Sequence, residues 1–195
     1  DDAETLQREG LIRHWGCSVE SIEEAKLCMA HPGCASLQVI FNVFRQKLID
    51  ELLPLAMEND VGIIVRVPLA SGLLAGGFRR GQRFPEKDHR HYNADGQVFN
   101  VGETFAGVPF ERGVELADQV KQIVQSGEQA TMAQRALRWI LDHHAVSTVI
   151  PGATKTAQAE ENAAAADLPP LDPEVHRQLR DLYDREIAPA IRGPY

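Results

Sequence analysis

Cysteine is scarce in this chain, basic residues are outnumbered, and no long apolar run occurs. Three cysteines in 195 residues, Cys17, Cys28 and Cys34, are too few and too irregularly spaced for a disulfide framework or a zinc ribbon. They read as reduced thiols of a cytoplasmic protein. With 20 Lys+Arg against 28 Asp+Glu the formal charge is -8, which excludes nucleic acid and an anionic membrane surface as the main partner. The longest apolar stretch is broken by Arg66 and Pro68, so no segment reads as a membrane span. The opening residues, DDAETLQREG, are acidic where a signal peptide is basic and then apolar, and no initiator methionine precedes them. The expectation is a processed product or a piece of something longer. No short repeat, low-complexity tract or interdomain linker occurs, and 44% hydrophobic content is enough to build a core.

What is present is an alternation of apolar runs with helical patterns. Residues 1–9 read as the end of a helix stopped by Gly10, because glycine accepts the left-handed conformation that closes a helix. LIRHWGCSV (Leu11–Val19) reads as a strand, followed by a helix over Ser21–Ala30 with Ser21 and Glu24 spaced as a capping box. SLQVIFNVF (Ser36–Phe44) is a second strand, and Gln46–Asn59 a second helix with Leu48, Leu52, Leu55 and Ala56 on one face. A third strand, VGIIVRVPL (Val61–Leu69), leads into a long glycine-rich and charged connection, about Ser71–Val108, too long for a bare connector. Helices are expected over Phe110–Gln125 and Thr131–His143, then a strand VSTVIP (Val146–Pro151) and its helix, Thr156–Ala166. Asp172 caps a last helix, Pro173–Ile187.

Four apolar strands, each followed by a helix, imply parallel pairing with right-handed crossovers. Two architectures fit: a small open doubly wound sheet, or four units of a (βα)8 barrel. Both put ligands at the carboxyl ends of the strands. The residues there are Ser18 and Val19, Gln38 and Asn42, Arg66–Ser71, and Gly152–Lys155. At the last of these a helix N-terminus offers unpaired N–H groups and a positive dipole end, Gly152 and Ala153 allow close approach, and Lys155 adds charge. That combination suits a phosphate, and an ordinary capped turn explains it as well.

Other chemistry is thinly represented. His143 and His144 point about 100° apart on a helix, which fits a helix end better than a metal. His89 and His91 lack a matching carboxylate or thiol cluster. GLLAGGFRRG has neither the Lys-Ser/Thr of a P-loop nor a dinucleotide fingerprint, and reads as a hinge.

IRHWGCSV, LQVIFNVF, GIIVRVPLASGLLAGGF, ALRWILDHHAVSTVIPGA and TAQAEENAAA, in this order and spacing, resemble the carboxy-terminal half of the aldo-keto reductases. The resemblance is to the bacterial branch related to potassium-channel beta subunits and aflatoxin aldehyde reductases, and it covers nearly the whole chain. It implies a (βα)8 barrel binding NADP(H) across its strand ends, of which residues 1–195 hold about the last four βα units plus an extra C-terminal helix, with no second domain. Carried over position by position, Ser18 and Gln38 match residues that hydrogen-bond the nicotinamide carboxamide. Arg66, Pro68, Leu69 and Ser71 match the segment beneath the nicotinamide and along the pyrophosphate, and Gly72 and Leu73 begin the loop over the cofactor. Gly152, Ala153, Thr154, Lys155, Gln158, Glu161 and Asn162 match the site for the adenosine and its 2′-phosphate.

The chain also departs from the pattern. Val19 stands where many members have asparagine, Arg66 where an aromatic ring often stacks, Gly152 where lysine and Gln158 where arginine is common. Lys155 and the helix end favour NADP over NAD. The family's catalytic tyrosine, lysine, aspartate and histidine lie in the first four units, and none of Tyr92, Tyr183 and Tyr195 matches the proton donor. The resemblance thus implies a reductase of aldehydes or ketones whose cofactor half is this chain, inactive alone and completed by an amino-terminal half-barrel or a second chain. The alternative is a non-catalytic NADP-binding or regulatory module.

Overall fold

The apolar runs fold as four parallel strands joined by helices. The computed structural model describes residues 2–124 and 130–193. Helix α1 (Asp2–Arg8) precedes β1 (Trp15–Ser18), α2 (Ile22–Met29), β2 (Cys34–Ile40), α3 (Leu52–Glu58) and β3 (Gly62–Arg66). After the long connection, which contains the short α4 (His89–Tyr92), come α5 (Phe110–Ile123), α6 (Met132–Leu141), β4 (Val146–Val149), α7 (Thr156–Ala164) and α8 (Pro173–Leu182). Among the described residues no helix is long and apolar enough to cross a membrane.

The strands pair in chain order, β1-β2-β3-β4, and every pair is parallel. A doubly wound sheet reverses its strand order at a switch point. This sheet never does, so its right-handed crossovers stack the helices on one face. The open doubly wound alternative is therefore excluded, and the winding agrees with a (βα)8 barrel. The outer edges of β1 and β4 pair with no other strand among the described residues.

The two faces differ because strand side chains alternate. Leu37, Val39, Ile63 and Val65 are buried beneath the helices. The opposite face carries Ser18, Gln38, Ile64 and Thr148, aligned across the four strands and only half-buried or exposed. Under the helices Trp139 is buried against Phe41, ring centroids 5.1 Å apart, and His143 stands edge-on to both rings at 4.6 and 5.0 Å. Burying a ring of this size removes apolar area worth about 1.5–3 kcal/mol.

Several elements are shorter than expected, each for a local reason. The first strand begins only at Trp15, and Gly10 at φ 75° closes α1. The second stops at Ile40 because the Asn42 side chain, not a neighbouring strand, accepts the Phe44 N–H at 2.8 Å. The third stops at Arg66, where Val67 turns to φ 52°. The expected helix Gln46–Asn59 is split into a 3₁₀ turn, Lys47–Ile49, and α3, whose start is set by Pro54: proline fits the first turn, where an N–H has no intrahelical partner. The helix expected to reach Gln125 ends at Ile123, and Gln125 lies outside the described residues, as does Tyr195. Past Leu182 the last helix widens into a π turn, Tyr183–Ile187.

The long connection is packed rather than bare. Phe78, Phe84, Phe105 and Phe110 form a cluster with centroids 5.0–6.4 Å apart. The Arg90 guanidinium lies 4.7 Å from the Phe84 centroid, and Asp88 binds it in a fork at 2.9 and 2.6 Å. That pairing holds the Asp88 carboxyl down to about 2.

Two outcomes follow from this packing. A Cβ at Gly16 would collide with the backbone carbonyl of Ser36 on the neighbouring strand, so Gly16→Ala should cost about 1–3 kcal/mol in urea unfolding. Burial lowers the pKa of His143, a carbonyl bond to Trp139 opposes that shift, and the neighbouring His176 reinforces it. The unfolded imidazole then protonates first as pH falls, so the contribution of His143 is fully present above about pH 6.5 and is lost through the window beneath it. The fall in urea midpoint between about pH 7.5 and about pH 5 should be smaller in His143→Gln than in the parent chain.

Candidate functional site

The carboxyl ends of β1, β2 and β3 meet in a polar network on an apolar base. Ser18 ends β1 and lies opposite Gln38 in β2, whose Nε2 donates to Ser18 Oγ at 3.3 Å. Both side chains point to the uncovered face of the sheet, and the pair offers a ligand both donors and acceptors. Beside them Arg66 ends β3, nearly buried, with Nη2 donating to the Val19 carbonyl at 3.2 Å and Nη1 paired with the Glu103 carboxylate. Burial lowers the Arg66 pKa and the charge of Glu20 opposes it, and the guanidinium stays charged.

The turn after β3 is strained. Val67, Ala70 and Ser71 have φ of 52°, 48° and 56°, and Gly72 has 102°. A β-branched residue at positive φ is a genuine outlier, and such strain persists only where surrounding bonds over-determine it. Here Asn42 Nδ2 donates to the Val67 carbonyl at 2.9 Å. Ser71 Oγ donates to the Glu103 carbonyl at 3.0 Å and accepts from Phe105 N at 3.1 Å. Phe105 and Ala106 are themselves at φ 55° and 56°. Pro68 and Leu73 are buried, Leu69 and Gly72 half-buried, and Gly72 sits against the Phe78 ring.

The segment 100–107 is thereby tied across the strand ends. Asn100 bonds Glu20 after β1, Glu103 pairs with Arg66, and buried Arg45 donates through Nε to the Ala106 carbonyl at 3.2 Å. Sequence reasoning missed Glu20, Arg45, Asn100 and Glu103. The signal for Arg45 was available: NVFRQ puts an asparagine and an arginine directly after a wholly apolar run. Nothing local marks Glu103, which is placed by the fold of the connection.

A second group stands at the other edge of the sheet. Gly152–Lys155 follow β4 and lead into α7, all exposed. Gln158 Oε1 accepts from Thr154 N at 2.8 Å, Thr154 Oγ1 at 3.0 Å and Lys155 N at 3.2 Å. The amide thus occupies the N–H groups that the sequence offered to a phosphate. Asn162 Nδ2 donates to the Gly152 carbonyl at 3.4 Å, and the Glu161 carbonyl accepts from Gln134 at 3.1 Å. A cleft of about 400 Å³ runs beside β4, lined by Thr148, Pro151, Ala153, Ala159 and Asn162 among others. Three strand spacings, about 14 Å, separate the two edges of the sheet. Ser18 and Gln38 thus stand at one end of this row and Gly152–Asn162 at the other, with Arg66 and Ser71 following β3 between them.

His89 lies 3.5 Å from Asp88, and among the described residues no group of three or more His, Cys, Asp or Glu is placed to hold a metal.

The aldo/keto reductase family model matches residues 1–184. A putative voltage-gated potassium channel subunit beta of Schizosaccharomyces pombe is 34% identical over 190 residues, covering 91% of this chain and 52% of that protein. An aldo-keto reductase of Strobilurus tenacellus is 30% identical over 194 residues, 96% of this chain and 54% of that protein. Among solved structures, a glycerol dehydrogenase from Gluconobacter oxydans superposes with a TM-score of 0.72 at 23% identity, over 98% of this chain and 55% of its own. An aldo-keto reductase from Klebsiella pneumoniae in complex with NADPH superposes at 0.59 with 24% identity, over 93% and 51%. The chain spans about half the length of the relatives it matches.

Asn42 is the buried bracket of the strained turn. Asn42→Ala strands the Phe44 N–H and the Val67 carbonyl, at about 1–3 kcal/mol for a buried unsatisfied group, so denaturant unfolding should show a loss near the upper end of that range.

Proposed function

Since the chain belongs to the aldo/keto reductase family, we propose that it is the NADP(H)-binding half of a reductase that converts aldehydes or ketones to alcohols. It would supply about the last four βα units of a (βα)8 barrel, with residues 1–195 forming part of one domain. The observation that carries the reading is the Ser18–Gln38 pair, aligned with Ile64 and Thr148 on a sheet face that no helix covers. A half-barrel presents its inner face in this way.

The residues suit the cofactor. A carboxamide needs an acceptor for its N–H₂ and a donor for its carbonyl, and Ser18 with Gln38 provides both. Arg66, Pro68, Leu69, Ser71, Gly72 and Leu73 form a rigid floor whose polar side chains are already engaged, so contacts there would be largely from the backbone and from Arg66. At the far end Gly152, Ala153, Thr154, Lys155, Gln158, Glu161 and Asn162 would meet the adenosine and its 2′-phosphate. Rotating the Gln158 amide away frees two backbone N–H groups and the Thr154 hydroxyl for a phosphate, next to the Lys155 ammonium. NADP is favoured over NAD because only the former carries a 2′-phosphate for Lys155 to meet.

When bound, the cofactor supplies a hydride; the chain's own residues hold it. Hydride addition to a carbonyl also needs a proton donor at the oxygen. Tyr183, buried, begins the π turn that continues α8, and Tyr92 lies in the long connection beside Phe99, so the reading assigns that donor to an amino-terminal half-barrel, which would also pair the free edges of β1 and β4. A non-catalytic cofactor-binding module is the second reading, favoured by the likeness to channel beta subunits.

Titration of the chain with NADPH, followed by nucleotide fluorescence, should saturate. Lys155→Ala should weaken binding of NADPH about tenfold and that of NADH hardly at all. Equal effects on the two nucleotides would sink the placement of the 2′-phosphate. With the preceding half-barrel supplied, turnover of an aldehyde panel identifies the reductase, and binding without turnover identifies the module.

A further inference from the structure

Two of the three thiols share a cleft beside helix α2. Cys17 of β1 and Cys28 of α2 line one open cleft of about 290 Å³, together with Trp15, Leu27 and His31. Cys34 begins β2 opposite Trp15 and is buried, its thiol donating to the Ser36 carbonyl at 3.6 Å. Cys17 and Cys28 are half-buried, Cys34 is buried, and all three are free. Two thiols lining one cleft that small molecules can enter suit sulfur–sulfur chemistry.

We propose that Cys17 and Cys28 form a peroxide-responsive site whose product is an intramolecular disulfide joining β1 to α2. A hydroperoxide transfers one oxygen to the thiolate of one cleft cysteine, its O–O bond breaking, to give a sulfenic acid and water or an alcohol. The neighbouring sulfur then attacks the sulfenic sulfur, the S–O bond breaks, and a second water leaves. The two thiols lose two electrons and the peroxide gains them. Cys34 stays reduced because it faces the protein interior rather than the cleft. Burial, the largest cause, pushes the Cys28 pKa up to about 11, so its thiolate is scarce near neutral pH and the oxidation is slow. The bridge closes one residue before Ser18, fixing the end of β1 to its helix.

The folded chain, treated with a small excess of hydrogen peroxide, blocked with an alkylating reagent and mapped without reduction, tests this. The expected product is lighter than the reduced chain by two hydrogens, keeps one alkylatable thiol of the three, and yields a linked Cys17–Cys28 peptide that dithiothreitol releases. Cys34→Ser should form the same bridge, whereas Cys28→Ser should form no Cys17 bridge within the chain. Retention of all three thiols overturns the proposal, as does oxygen added to single cysteines without pairing or a bridge to Cys34 in the parent chain. The parent and Cys34→Ser maps decide the matter even if Cys28→Ser fails to fold.

Discussion

A parallel strand can rejoin its neighbour only through a crossover that leaves the plane of the sheet, and here every crossover leaves on the same side. The strand order β1-β2-β3-β4 imposes this, since right-handed units wound without reversal must stack their helices together. One face of the sheet becomes a dry core of Leu37, Val39, Ile63 and Val65. The other keeps Ser18, Gln38 and Thr148, side chains that would be costly beneath a helix without partners. Everything at the strand ends depends on that division, because it aims a row of polar groups away from the core while the strands that carry them stay rigid.

Rigidity at the strand ends has a second source. The turn from Val67 to Gly72 adopts conformations that sequence preference opposes, and bonds from distant residues hold it: Asn42 from the end of β2, and Glu103 and Phe105 from the long connection. The cost is of order 1–3 kcal/mol for each strained residue, comparable to what the buried bonds return. Such a balance leaves no reason for strain except position. It presents the backbone of Leu69–Leu73 along the mouth of the sheet, where an unstrained turn would carry the chain directly into a helix.

The alternation of strands and helices was legible because apolar runs such as VIF and GIIV are bounded by glycine, proline or caps, and the capping box of Ser21 and Glu24 formed as its spacing implied. The capping box of Thr131 and Gln134 adds a second boundary of the same kind. Strand ends were overrun wherever a side chain replaced the ladder: Asn42 takes the Phe44 N–H, and nothing in SLQVIFNVF distinguishes that asparagine from one in a strand. The long connection was the least legible part. Its phenylalanines are spread from Phe78 to Phe110, a separation that no periodicity links, and Arg90 reads as surface charge until the fold lays it over two rings. Around the candidate site, the positions of Ser18, Gln38 and Arg66 on strands were legible because strands fix direction. Glu20, Asn100 and Glu103 were not, because their roles exist only across the closed connection.

The two ends of the candidate site differ in how much a ligand must disturb. At β1–β3 most donors are committed, so a ligand adds to a finished surface and gains from pre-organisation. At α7 the N–H groups of Thr154 and Lys155 are held by a single neutral acceptor, Gln158 Oε1, on an exposed side chain. Exchanging that amide for a phosphate replaces neutral hydrogen bonds with charge-assisted ones about twice as strong, while releasing the Gln158 side chain costs only the bonds it leaves. An arginine at this position would have added attraction; glutamine instead satisfies these N–H groups from within the chain. The net preference for a phosphate is thereby reduced, on the proposed reading, to the difference between two occupants of the same N–H groups, plus the charge of Lys155. On the proposed reading, discrimination between the two nicotinamide cofactors rests on that one ammonium and the helix end behind it.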